Sequence, residues 1–134
     1  MEKIKKLAFR TSVQAPFDKA VDIAKDALKA EGFGVLTEID VTATLKKKLD
    51  KDFRKYVILG ACNPPFALQA LQADLEVGLL LPCNLIVYQD DQGVVQIAAL
   101  NPVSALQVLE SGELNEVAQE VSAKLRRVID SIET

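Results

Sequence analysis

Apolar residues recur along the chain at two spacings, every second position and every third or fourth, and the switches between them divide it into elements. Residues 4–13, IKKLAFRTSV, place Leu7, Phe9 and Thr11 on one side of an extended segment and predict a first strand. Pro16 then suits a first helical turn, and Phe17, Ala20, Val21, Ala24, Ala27 and Leu28 follow at helical spacing until Gly32 supplies a left-handed stop. Phe33 to Ile39 reads as a second strand. It leads to Asp40, an N-cap for a short helix with a single apolar stripe of Val41, Leu45 and Leu49.

Tyr56 to Ala61 is continuously apolar, the pattern of a strand buried on both faces and therefore central in its sheet. Asn63 and Pro64 read as N-cap and first residue of a helix whose packing face is Phe66, Ala67, Ala70 and Leu71. Pro82 cannot donate to a central ladder, so the next strand should begin there and run to Gln89. Asp90 to Gly93 is turn chemistry, and Val94 to Leu100 should pair back, which makes residues 83–100 a hairpin. From Glu113 to Ile132 the stripe Leu114, Ala118, Val121, Leu125, Val128 and Ile132 predicts a helix of about 30 Å that covers one face of the sheet. The alternative for that stripe is a seam against a second subunit.

A short internal echo accompanies these elements. Ala61 to Leu71 (ACNPPFALQAL) and Ala99 to Leu109 (ALNPVSALQVL) share Ala, Asn, Pro, Ala, Leu, Gln and Leu in order, 38 positions apart. Each reads as strand, Asn cap, Pro and helix. Cys62 has Leu100 as its counterpart, so that architecture does not itself demand a cysteine.

The chain has 134 residues, enough for a core without staples, and 16 basic against 19 acidic side chains give a net charge of −3. That balance argues against a dedicated nucleic-acid binder. Neither a secretory signal nor an apolar run of about 20 residues is present, so no membrane association and a cytoplasmic location are expected. In that compartment Cys62 and Cys83 should be free thiols. The chain contains no histidine, which removes the commonest general base and the commonest metal ligand together, and no cofactor is expected.

Candidate chemistry gathers where two Cys-Asn pairs flank the helix after Pro64. Cys62, Asn63, Cys83 and Asn84 form the candidate ligand site, with Phe66 and the leucines at 79–81 as its wall. A thiolate at Cys62 would gain from the helix N-terminus, so the alternative is thiol redox or soft-metal handling by Cys62 and Cys83. The long spacing between the two cysteines is not that of a redox pair, and two cysteines fall short of a zinc site. Lys46, Lys47 and Lys48 are a weaker anion-binding candidate, against the plain reading of a solvated helix end. Glu38 and Asp40 do not form an evident acid–base pair, since one belongs to a strand and the other to a cap.

Three segments in order, GFGVLTEIDVTATLKKKL (Gly32 to Leu49), GACNPPFALQAL (Gly60 to Leu71) and GLLLPCNLIVY (Gly78 to Tyr88), resemble the bacterial domain-of-unknown-function family numbered 302. The resemblance implies a small α+β fold that associates as a homodimer and has no established activity. Family members carry Cys-Asn-Pro and Pro-Cys-Asn elements, matched here by Cys62-Asn63-Pro64 and Pro82-Cys83-Asn84. They often place a histidine where this chain has Leu68, so a Cys-His mechanism does not carry over. The expectation is a two-layer α+β sandwich with a mixed sheet of about five strands. Its function would be self-association and binding of a small molecule near the Cys-Asn loops.

Overall fold

The computed structural model describes residues 7–106 and 111–132. In chain order the elements are β1 (Ala8–Val13), α1 (Phe17–Ala30), β2 (Gly34–Asp40), α2 (Val41–Leu49), β3 (Tyr56–Cys62) and α3 (Pro64–Ala73). A 3₁₀ segment (Leu75–Leu80), β4 (Cys83–Gln89), β5 (Val95–Leu100), α4 (Pro102–Leu106) and α5 (Gly112–Ser131) complete them. Residues 4–6 of the expected first strand and 107–109 of the second echo segment lie outside the described residues.

The five strands form one α+β sheet in the order β1-β5-β4-β3-β2. All four pairings are antiparallel, so the sheet is not mixed. The reason lies in α1. It joins two strands that run in the same direction, but β1 and β2 occupy opposite edges with three strands between them, so this crossover makes no parallel pair. The same order corrects a second expectation, because β4 is the central strand and β3 lies one in from the edge.

Nor is β3 buried on both faces. Its alternate residues Val57, Leu59 and Ala61 join Leu85 and Val87 of β4 and Val95, Ile97 and Ala99 of β5 in the core, under α1 and the C-terminal half of α5. Leu59, Leu85 and Ile97 are fully buried, each worth roughly 2 kcal/mol of apolar transfer. The opposite face holds a register row of Ile39, Ile58, Ile86 and Ala98, flanked by Tyr56 stacked on Tyr88 at 5.5 Å. Here Ile39 is 47% exposed, while Ile58 and Ile86 are half-buried. The apolar run in β3 thus reflects apolar side chains on both faces, only one of which this chain covers with its two long helices.

The expected stripe on α5 is buried throughout. Its first turns, Leu114 and Ala118, pack into a second cluster with Ala70, Val77 and Leu106 beyond the end of the sheet, while Val121, Leu125 and Val128 join the main core. That stripe is therefore consumed within the chain and not free to seam against another subunit. α1 closes as the sequence predicts, through Gly32 at φ +86°. The Phe33 N–H donates to Leu28 O and the Gly32 N–H to Lys29 O, both at 3.0 Å, a Schellman stop with Phe33 packed in the same core as Leu28.

Candidate functional site

β3 and β5 both run antiparallel to β4, so both leave the sheet at the end where β4 begins. Each then meets an Asn-Pro pair and turns into a helix, α3 or α4, and the two echo segments come to stand on either side of the β4 start. Between them lies a cavity of about 290 Å³. Ala61 and Cys83 give its floor, and Phe66 and Leu71 of α3 one wall. Leu81 and Pro82 close a second side, and Val117 and Val121 of α5 a third. Leu36, displaced outward by a bulge between Val35 and Thr37, stands at the rim with 67% of its surface exposed.

Of the candidate residues, Cys62, Asn63 and Cys83 meet in this cavity. Asn84 does not line it; it falls on the opposite face of the sheet, is exposed, and pairs across from Gly60. Phe66 and Leu81 of the expected wall are present, but Leu79 points away, 83% exposed. Lys46, Lys47 and Lys48 sit at the far end of the sheet, roughly 20 Å away along β3. Lys46 already bridges Asp50 and Asp52, each at 3.2 Å, and the helix bearing it ends at Asp50 in a left-handed conformation. The three lysines share no site with the cysteines.

Both cysteines are reduced, Cys62 half-buried and Cys83 buried. Burial, with Cys62 adding to it, pushes the Cys83 thiol up to about 11, so near neutral pH it is a protonated, apolar group. Asn63 occupies the N-cap position of α3, but its side chain caps nothing. Its amide instead donates at 3.4 Å to the carbonyl of Glu31, the residue that ends α1, and is only 9% exposed. The expected cap is thus a strut between the end of α1 and the end of β3. Its echo, Asn101, does cap: Oδ1 accepts from the Val103 N–H at 3.2 Å and from the Ser122 hydroxyl at 2.7 Å.

Sequence reasoning missed the contribution of α5 and α4, because Val121 read only as a packing position and Val117 and Leu106 were not singled out. It also missed Lys124, whose Nζ lies over the Phe66 ring, 6.0 Å from its centroid. A signal was available: no lysine or arginine occurs between Lys55 and Lys124. Glu38 pairs with Lys25 at 2.6 Å and Asp40 accepts from the Ala43 N–H at 2.9 Å, so neither is an unengaged catalytic carboxylate. Among the described residues no group of three or more Cys, Asp or Glu is placed to hold a metal, and no helix is long and apolar enough to cross a membrane.

A single antiparallel sheet with its two long helices on one face, and an apolar cavity where three strands begin or end, defines a small α+β domain. Its family model is Domain of unknown function DUF302, which matches residues 9–132, and the chain belongs to that family. A crystal structure of an uncharacterized conserved DUF302 protein from Bacillus stearothermophilus is similar, with 32% sequence identity and a TM-score of 0.87. That alignment covers 95% of this chain and 98% of the other. No curated protein matches the chain.

Proposed function

We propose that the chain is a self-associating binding module that holds an apolar small molecule in the cavity beside Cys62 and Cys83. The cavity carries this reading. At about 290 Å³ it has room for on the order of ten non-hydrogen atoms, at the ~30 Å³ that a water occupies in the liquid, and almost every group facing it is aliphatic or aromatic. The raised thiol of Cys83 favours this over the thiol-redox alternative, since a protonated sulfur is a poor nucleophile and a poor metal ligand. The test is a titration with 1-octanol followed through backbone amide resonances. Shifts should concentrate on Cys62, Phe66, Leu71 and Val121. A Cβ at Gly78 meets nothing closer than Leu71 Cδ2 at 4.0 Å, so the Cβ of Gly78→Val has room, and its methyl groups take up cavity volume and should weaken the shifts. Shifts scattered over the surface, or unchanged by Gly78→Val, would overturn the reading.

Self-association is supported by the uncovered sheet face. Its positions on β3, β4 and β5 carry no charge: Tyr56, Ile58, Gly60, Asn84, Ile86, Tyr88, Gln96, Ala98 and Leu100. Five strands of six residues present roughly 24 Å by 20 Å, so two such faces together approach about 1,000 Å², the lower bound for a specific interface. Apart from Arg10 on the β1 edge, the strands put no charge on this face, so most of it meets a copy of itself without repulsion. Sedimentation should show a dimer that Ile86→Lys converts to monomer. A wild-type monomer at high micromolar concentration refutes it.

A further inference from the structure

Resting on the cavity reading above, we infer that the ligand is amphipathic and anionic: a medium-chain carboxylate whose alkyl chain fills the cavity and whose head group is taken by Lys124. Three observations converge on this. The cavity is apolar enough for an alkyl chain but lacks any buried charged group to neutralise a head group inside it. The head must therefore lie at the edge, and there, among the described residues, Lys124 is the cation whose ammonium rests on a wall residue of the cavity. Lys124 follows Val121 by a single helical turn on α5, and its ammonium rests over Phe66, whose ring is part of the cavity wall.

The sequence around Lys124 makes its position notable. From Tyr56 to Ala123, the stretch that supplies nearly all of the cavity, the chain has no other lysine or arginine, while Asp74, Glu76, Glu113, Glu116 and Glu120 lie within it. Among the described residues Arg126 bridges Asp130 at 3.9 Å and Arg127 bridges Glu31 at 3.0 Å, but no carboxylate lies within ion-pair distance of Lys124. Its neighbour one turn back, Glu120, does not close on it either. An aromatic face holds the ammonium by a contact that a carboxylate can supplement without displacing.

The acidic side chains oppose this and set the alternative, an alkylammonium ligand. Glu113, Glu116 and Glu120 stand exposed on the α3–α5 groove, where attraction or repulsion is screened beyond about 8 Å at physiological salt, which leaves Glu120, one turn from Lys124, as the near opponent. A direct ammonium–carboxylate hydrogen bond at the rim is a shorter-range and stronger contact, so the local cation decides the sign.

The experiment compares octanoate, 1-octanol and octylammonium as ligands of the wild-type chain and of Lys124→Gln, by calorimetric titration at pH 7.5. Octanoate should bind wild type at least about tenfold more tightly than octylammonium. Lys124→Gln should lower octanoate affinity by about tenfold while leaving 1-octanol unchanged, and Lys124→Arg should restore most of the loss. Equal affinity for octanoate in wild type and Lys124→Gln, or a preference for octylammonium, overturns the assignment of the head group while 1-octanol binding keeps the cavity reading intact. Failure of all three ligands to bind overturns both.

Discussion

Replacing Asn63 by Asp separates two roles that replacement by Ala cannot. If Asn63 capped α3, Ala would cost about 1 kcal/mol, and Asp, an equally good cap, would cost almost nothing. The structure makes Asn63 a donor to the Glu31 carbonyl in a site only 9% exposed. Ala then removes a long hydrogen bond and strands one carbonyl, again about 1 kcal/mol. Asp behaves differently. It puts a carboxylate oxygen against that carbonyl, where nothing can donate to it, and leaves the charge poorly solvated at a cost of about 3 kcal/mol. The α3 N-terminus returns about 0.3–1 kcal/mol through its dipole, so Asp should be destabilised by a net of about 2 kcal/mol, more than Ala. Urea denaturation at pH 7 reads this directly: with a slope of about 2 kcal/mol per molar, the Asp midpoint should fall by about 1 M and the Ala midpoint by half that. An Asp variant as stable as wild type would refute the strut and restore the cap.

A Cβ on Gly60 would overlap Thr37 Oγ1 and come within 2.9 Å of Pro82 Cγ, so Gly60→Ala should lose about 1–3 kcal/mol in the same assay, and Thr37→Gly in that background should recover part of it. The Cys83 thiol is raised from 9.0 to about 11, so the folded state holds its proton longer than the unfolded chain does. The stability from keeping Cys83 neutral is thus complete below about pH 9 and lost as the pH rises toward 11, a fall of about 2–3 kcal/mol that Cys83→Ala should not show. Alkylation of Cys83 in native protein should accordingly stay slow up to the unfolding transition, as mass spectrometry of the modified thiol would reveal.

Periodicity was a good guide wherever local geometry decides the outcome. The positions on α1 and α5 that face the core, the stop at Gly32, the cap at Asp40 and the hairpin turn at Gly93 all depend on a few neighbouring residues, and each was legible. Strand order was not, because a helix between two strands says nothing about how many others will settle between them. The apolar run of β3 misled for a related reason: alternation reports how apolar a face is, not what covers it. At the site, Cys62, Asn63 and Cys83 were found through their unusual flanking pattern, and strand pairing of Ala61 with Cys83 does bring them together. Asn84, one residue further, alternates to the other face, a direct result of the two-residue period. Asn63 and Asn101 have matching local sequences but different work, since the partner of each is set by a distant helix.

The seat of the first strand governs how the chain assembles. β1 pairs with β5 in a register that joins Ala8 to Leu100, so the N-terminal segment has no place in the sheet until most of the polypeptide has been synthesised. The β4–β5 hairpin can form on its own within microseconds, and β3 can add to it, while the exposed edge of β5 waits for a strand tens of residues upstream. During that interval β5 offers Val95, Ile97 and Ala99 on an unpaired edge, the arrangement most prone to recruit another nascent chain. Loss of the first 13 residues would make that interval permanent, and a shortened chain of this kind should collect in aggregates while its hairpin remains formed.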